Sequence, residues 1–134
     1  MANKKKKYEP DYNACIGKHD TFGMVYAGMV KHESFKNLSI GEKIMYFYCR
    51  IQAKDNTAKQ CLFKHGQEYG REYNPEIDFV FPASHFEKYG IDRGNGSRRL
   101  HSLAKKGFIE IKEDNHLQKI VNVYSFSNKW KETG

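Results

Sequence analysis

The order of apolar and polar positions predicts a helix most clearly between Leu38 and Ala53. Apolar side chains recur there at spacings of 4, 3, 1 and 3 residues, which is the pattern of one helix face. The residues of this face are Ile40, Ile44, Phe47, Tyr48 and Ile51. Ser39 and Glu42 have the spacing of a capping box at the helix start. We therefore expect this face to pack into the core, and Tyr46 and Arg50 to point elsewhere.

Weaker patterns predict further elements around this helix. In chain order, the first two are a strand at 22–30 and a helix that is capped by Thr57 and ends near Gly66 or Gly70. They are followed by a short strand at 78–82 and a short helix at 83–89, which Gly90 ends. The second helix carries Ala58, Cys61 and Leu62 on one side. Two glycines weaken the strand at 22–30.

The segment GSRRLHSLAKKGFIEI, from Gly96 to Ile111, predicts a helix that ends abruptly and continues into a strand. A tight turn, DRGNG, is expected before it, so the helix begins between Asp92 and Ser97. Gly107 can close the helix in the left-handed conformation. The core stripe of this helix consists of Leu100, Leu103 and Ala104.

A β-hairpin is predicted after this helix. Residues 108–112 alternate as a strand, residues 113–116 supply a turn, and residues 117–127 return as the partner strand. A short helix, a turn, a basic helix and a hairpin follow one another in a winged helix-turn-helix. The predicted fold class is therefore α+β: a winged helix-turn-helix with three or four helices, a C-terminal β-hairpin wing and an additional N-terminal strand.

Length and composition are those of a single globular domain. The chain has 134 residues, of which 39% are hydrophobic, and no stretch approaches the roughly 18 apolar residues that span a bilayer. No apolar run follows Lys4–Lys7, so this segment is not a secretory signal. Three cysteines without a framework spacing suggest reduced thiols. We expect a flexible basic tail at 1–20, one domain at 21–130, a cytoplasmic location and no membrane partner.

The net charge of +7 and the pI of about 9.3 favour a polyanionic partner. On the third helix Arg98, Ser102 and Lys105 are expected to point away from the leucines, with Arg99 and Lys106 beside them. Such a helix fits the major groove, where arginine bonds to guanine. The predicted DNA contacts are Asn95, Ser97, Arg98, Arg99, His101, Ser102, Lys105, Lys106, Lys112 and Lys119.

The tip of the hairpin is expected to be acidic, because Glu110, Glu113 and Asp114 lie there. Carboxylates repel phosphates, so the tip is a poor phosphate clamp. Lys112, Lys119 and His116 offer backbone contacts beside it. Two alternatives stay open for the hairpin: packing against the core alone, or contact with DNA.

Other chemistry has weaker support in the sequence. Two Cys-x-x-x-His patterns, CIGKH at Cys15 and CLFKH at Cys61, supply four zinc-ligand types, but their spacing is wider than usual and buried thiols explain them better. None of the nine tyrosines accompanies a His-apolar-His cluster, and no P-loop, GxSxG or HExxH motif is present. His85 is expected on a helix surface. We predict no enzyme activity, no metal and no cofactor.

Two stretches resemble a known family. GMVYAGMVKHESFKNLSIGEKIMYFYCRIQA at 23–53 resembles the opening of the winged-helix domain in replication initiators of Gram-positive plasmids, a domain shared by small helix-turn-helix proteins of phages and conjugative elements. FVFPASHFEKYGIDRGNGSRRLHSLAKKGFIEI at 79–111 resembles the rest of it. The resemblance covers about residues 22–127. It implies double-stranded DNA binding, with Arg98, Arg99, Ser102, Lys105 and Lys106 on the groove-facing helix.

Fold, charge and resemblance together predict a sequence-specific double-stranded DNA-binding protein of a mobile genetic element. Because the chain ends soon after the hairpin, we expect an accessory factor in replication or conjugative transfer, working beside a relaxase or replication protein. The alternatives are a transcriptional regulator of the element and a winged-helix protein-interaction module. The sequence predicts no particular oligomeric state.

Overall fold

The computed structural model describes residues 14–17, 20–115 and 120–132. Within these residues the chain is α+β, with six α-helices and a three-stranded antiparallel sheet. The elements are α1 (Ala27–Val30), α2 (Glu33–Lys36), α3 (Ile40–Lys54), α4 (Asn56–Tyr69), β1 (Asp78–Val80), α5 (Ala83–Phe86), α6 (Arg93–Lys105), β2 (Ile109–Glu113) and β3 (Val123–Phe126). Short 3₁₀ helices at Glu87–Tyr89 and Lys129–Glu132 follow α5 and β3. None of the described helices is long and apolar enough to cross a membrane.

The predicted capping box begins α3. Ser39 Oγ accepts a hydrogen bond from Glu42 N at 3.1 Å, and Glu42 Oε1 accepts one from Ser39 N at 2.8 Å. Two of the helix's first free backbone N–H groups are therefore bonded. The predicted helix is confirmed to within two residues at each end.

The predicted core face of α3 is wrong for its first three residues, although Tyr48 is half-buried and packs against the core. Ile40 is 74% exposed, and Ile44 and Phe47 are 38% and 37% exposed, whereas Tyr46, the residue expected to point elsewhere, is 6% exposed. The buried side chains of α3 are Glu42, Met45, Tyr46, Cys49, Gln52 and Ala53. The periodicity locates an apolar stripe on α3. It does not show on which side of the helix the other elements of the fold pack. Here α6 and β1 pack on the less apolar side.

The second predicted helix is present as α4, but its cap differs. Asp55, not Thr57, is the N-cap: its Oδ1 accepts hydrogen bonds from the backbone N–H groups of Thr57 and Ala58 at 2.8 and 3.2 Å. A carboxylate at this position also interacts favourably with the positive end of the helix dipole. Gly70 ends the helix with φ of 66°, at one of the two predicted ends.

The expected N-terminal strand at 22–30 is wrong: the chain is irregular as far as Tyr26 and then forms α1. A Cβ on Gly23 would lie 2.9 Å from the backbone of Arg50, so the chain crosses α3 there at a distance that only glycine permits. Arg50 Nε donates to the Met24 carbonyl at 2.9 Å. The close approach at Gly23 and this bond hold the segment against α3.

The sheet has the strand order β1-β3-β2, with both pairings antiparallel. Val80 pairs with Val123, and Ile109 pairs with Phe126. The strands predicted at 78–82 and 108–112 are therefore confirmed in shortened or shifted form. A register shift between Ile111 and Glu113 interrupts the β2–β3 ladder. Part of the predicted hairpin tip, 116–119, lies outside the described residues.

The expected tight turn DRGNG is wrong, because α6 already begins at Arg93. Asp92 is its N-cap, and Asp92 Oδ1 accepts a hydrogen bond from Asn95 N at 2.8 Å. The two glycines of the motif are therefore helical. Gly107 closes α6 with φ of 88°, as predicted. Leu100 and Leu103 are fully buried, so the predicted core stripe of α6 is confirmed at both leucines.

Candidate nucleic-acid interface

The solvent-facing side of α6 carries Ser97, Arg98, His101 and Lys105, all of them exposed. We call these four residues the basic face. Ser97, His101 and Lys105 follow at intervals of four, so they form one row along the helix. The buried leucines on the other side anchor this row to the core.

A chain of hydrogen bonds orients Arg98. Asp92 Oδ2 accepts from Asn95 Nδ2 at 2.8 Å, and Asn95 Oδ1 accepts from a guanidinium N–H of Arg98. The predicted contact residue Asn95 therefore lies in the first turn of α6, where it is half-buried and bonded to its own helix. Ordering a long side chain before binding lowers the entropy that association costs.

The imidazole of His101 is also fixed by its own helix. Its Nδ1 lies 2.9 Å from the Ser97 carbonyl oxygen. A carbonyl only accepts, so Nδ1 carries the proton and donates. In the neutral ring the exposed Nε2 is then the acceptor.

Ser102 does not point outward as expected, and Lys106, which was expected beside the outward face, is exposed but paired with α3. Ser102 Oγ donates to Glu42 Oε2, and Lys106 Nζ lies 3.0 Å from both oxygens of the same carboxylate. Burial alone would raise the pKa of Glu42, but hydrogen bonds from Ser102, from the Ser39 backbone and from Lys106 lower it to about 2. This cluster fastens α6 to the first turn of α3.

Arg99 is also turned toward α3. A Cβ on Gly41 would lie 2.8 Å from the Arg99 guanidinium, so this side chain packs directly over the first turn of α3. Arg98 and Arg99 line a groove of about 330 Å³ with Ser39 and Gly41. Arg99 is half-buried there, at the edge of the basic face instead of within it.

Lys112, one of the predicted DNA contacts, forms an ion pair within the sheet. Its Nζ lies 2.8 Å from Asp78 Oδ2, and the Asp78 side chain is fully buried. Asp78 Oδ2 also accepts from the Asn74 N–H at 2.8 Å, while Oδ1 has no hydrogen-bond partner. Leaving this buried carboxylate without its lysine would be strongly destabilising, so Lys112 has a structural role. Lys119 and His116 lie outside the described residues.

Glu113 does not present a free carboxylate at the hairpin tip. Its oxygens are bonded by Arg71 at 2.7 Å, by His65 at 3.1 Å, by the Tyr73 hydroxyl and by Asn115. Burial alone would raise its pKa, but these partners, Tyr73 first, lower it to about 2. The expectation of an acidic tip therefore fails for Glu113, while Glu110 and Asp114 are exposed.

The remaining candidate residues are accounted for by other contacts. His85, expected on a surface, is 7% exposed and shares a hydrogen bond of 2.8 Å with Gln52. In the CLFKH pattern, His65 bonds to Glu113. His19 of the other pattern is not among the described residues. The described part of the chain contains no cluster of three or more potential metal ligands.

Sequence reasoning missed three residues that position or extend the basic face. Glu42 and Asp92 hold α6 in place, and Arg93 is exposed at its first position. Asp92 is a typical N-cap residue and so indicated the start of α6, but Gly94 and Gly96 favoured the interpretation of this segment as a turn. No local sequence pattern predicts the hydrogen bond between Glu42 and Ser102, because 60 residues separate them.

Comparisons with family models, with curated proteins and with solved structures found no match for this chain.

Proposed function

We propose that this protein is a winged-helix protein that binds double-stranded DNA with α6 in the major groove. One observation carries the proposal: Arg98, His101 and Lys105 project together from a helix whose opposite side is buried. The order α5, turn, α6, β2, β3 and the strand order β1-β3-β2 support it, because both are compatible with the winged-helix class.

The basic face has the chemistry that groove binding requires. An arginine forms two hydrogen bonds to the O6 and N7 atoms of guanine, and Arg98 is already oriented by Asn95. Lys105 is the last residue of α6 and suits a phosphate contact. The net charge of +7 adds long-range attraction to the duplex.

The resemblance to plasmid replication initiators suggests the cellular process in which the protein binds DNA. We infer an accessory role in replication or conjugative transfer of a mobile element. Footprinting on the DNA of that element tests the inference, since protection is expected at a replication or transfer origin. Protection confined to the promoter of the protein's own gene would instead indicate a transcriptional regulator.

Replacing Arg98 and Lys105 together with alanine tests the interface. We expect duplex affinity to fall by about tenfold or more. The slope of log K against log[salt] should become shallower by about 0.9 for each phosphate that the variant no longer neutralises. Fluorescence anisotropy with a labelled duplex, from low to physiological salt, measures both quantities.

The matched control is the Lys59→Ala, Lys64→Ala variant, which removes the same charge from exposed positions on α4. It should change affinity much less than the α6 variant. Equal effects of the two variants would mean that only net charge matters. Wild-type affinity in the α6 variant would exclude the basic face as the DNA-binding surface.

A further inference from the structure

The most apolar side of α3 is turned toward solvent. Ile40, Ile44 and Phe47 are all exposed, Ile40 most of all, and Ile51 is half-buried. We call these four residues the outer seam. At about 100° per residue they fall within one narrow sector of the helix, opposite the buried Cys49 and Ala53. Apolar side chains that cluster on an exposed face are typical of an interaction surface.

The spacing within the outer seam is 4, 3 and 4 residues. This is the spacing at which one helix packs against another, because two positions in every seven then face the partner helix. At 1.5 Å per residue the seam is about 16 Å long. An amphipathic helix of three turns would therefore match its length.

The charges that border the outer seam on α3 are positive. On one border Lys43 and Lys54 follow at helical spacing, and on the other the Arg99 guanidinium lies over Gly41. The only carboxylate within α3 is Glu42, which is bonded to Ser102 and Lys106 on the buried side. A partner that covers the seam would therefore meet cations on both flanks.

We propose that the outer seam is a docking site for an amphipathic helix of another protein, one whose apolar stripe is flanked by aspartate and glutamate. This interaction surface lies on α3, adjoins the basic face at Arg99, and does not depend on DNA binding. Aliphatic side chains form neither hydrogen bonds nor ion pairs with phosphates, so the outer seam is poorly suited to bind nucleic acid. A second copy of this chain would bring its own Lys43 and Lys54 against the same cations.

A pair of synthetic peptides tests the proposal with the full-length protein. Both carry leucine at the 4-3-4 spacing, and one has glutamate and the other lysine at the flanking positions. We expect the glutamate peptide to bind at least about tenfold more tightly at low salt, measured by fluorescence anisotropy. An Ile44→Ser, Phe47→Ser variant should abolish this binding, whereas Phe63→Ser, at a position on α4 that is 66% exposed, should keep it.

Reversing the charge of the flanking lysines separates the electrostatic part of peptide binding from the apolar part. In a Lys43→Glu, Lys54→Glu variant the preference should shift toward the lysine peptide, while circular dichroism confirms that the helices are retained. Equal binding of the two peptides, or binding that survives the Ile44→Ser, Phe47→Ser change, overturns the proposal. A stable dimer in sedimentation that this same change abolishes also overturns it, since the occupant is then a second copy. Binding to anionic vesicles through the seam would likewise replace the proposed partner.

Discussion

Gln52 lies at the centre of a hydrogen-bond network inside the core. It is 1% exposed, and its Nε2 donates to the Val80 carbonyl at 3.1 Å and to His85 Nδ1 at 2.8 Å. Its Oε1 accepts from the Tyr89 hydroxyl at 3.1 Å. One amide therefore joins α3 to β1 and to the α5 region, and every polar group of its side chain is bonded. The network fixes the helix that precedes the basic face.

The same network predicts how stability depends on pH. Burial, and secondarily Lys88, lower the pKa of His85 from its ordinary value of 6.5, with Asp55 opposing. The unfolded chain then takes up the proton first, so the free energy of unfolding should fall as pH drops below about 6.5 and level off below the folded-state pKa. Protonated Nδ1 would also face the Gln52 donor.

A His85→Asn variant isolates this effect, because the asparagine oxygen can replace Nδ1 as an acceptor but does not titrate. Urea unfolding of both proteins between pH 5 and 8 should show a wild-type stability that decreases toward pH 5 relative to the variant. Parallel profiles would show that His85 does not contribute. No local pattern predicts the burial of His85, since its partner Gln52 lies 33 residues away.

At the scale of elements, the junction between α5 and α6 depends on one glycine. A Cβ on Gly96 would lie 2.7 Å from the ring of Phe86, which is buried and has little freedom to move. A Cβ on Gly94 would meet only Asp92 Oδ1, at 3.7 Å. The two glycines are therefore alike in sequence but different in environment: Gly96 permits close packing of the two helices.

We expect alanine to have opposite effects on the stability of the protein at these two positions. Gly94→Ala should stabilise the protein by about 0.5 kcal/mol, because alanine favours the helix and nothing obstructs it. Gly96→Ala should destabilise it by about 1–3 kcal/mol, because the clash exceeds the gain in helix propensity. Thermal and urea unfolding measure both. If Gly96→Ala were as stable as Gly94→Ala, the close approach to Phe86 would not constrain the junction.

The helices show which elements the sequence could specify. Caps and closing glycines depend on neighbouring residues, so the existence of α3, α4 and α6, the capping box of α3 and the closing Gly107 of α6 were predictable, whereas the N-cap of α4 and the first turn of α6 were not. The orientation of α3 was not predictable, because burial depends on which elements pack against the helix. On α6, two leucines among cations indicated the buried side directly. The bonds of Ser102 and Lys106 to Glu42 were not predictable, because Glu42 belongs to α3.

At the scale of the molecule, two largely buried carboxylates join distant parts of the chain. Glu42 connects α3 to α6, and Glu113 connects β2 to α4 and to the loop that carries Arg71 and Tyr73. Their side chains are only 10% and 14% exposed. Neither cluster was predictable from spacing, since 48 residues separate Glu113 from His65. Both must be ionised to keep their ion pairs with Lys106 and Arg71.

Acid should therefore unfold this protein in a defined range. Both carboxyls have pKa values lowered from 4.5 to about 2, so their stabilising effect is complete above pH 4.5 and disappears as pH falls toward 2. By linkage each contributes about 3 kcal/mol, and the two together match a large part of a typical domain's stability. Far-UV circular dichroism and urea unfolding between pH 7 and 2 follow the transition.

The Glu42→Gln, Glu113→Gln double variant should be less stable than the wild type at pH 7 but should vary much less with pH, so the two stability curves converge near pH 2. Glu110→Gln is the matched control, because Glu110 is an exposed glutamate on β2. Its profile should run parallel to that of the wild type, because Glu110 is exposed and belongs to neither carboxylate cluster. A double variant as steep as the wild type would mean that other carboxylates cause the acid transition, and that the contacts of α6 with α3 and of β2 with α4 do not depend on ionised Glu42 and Glu113.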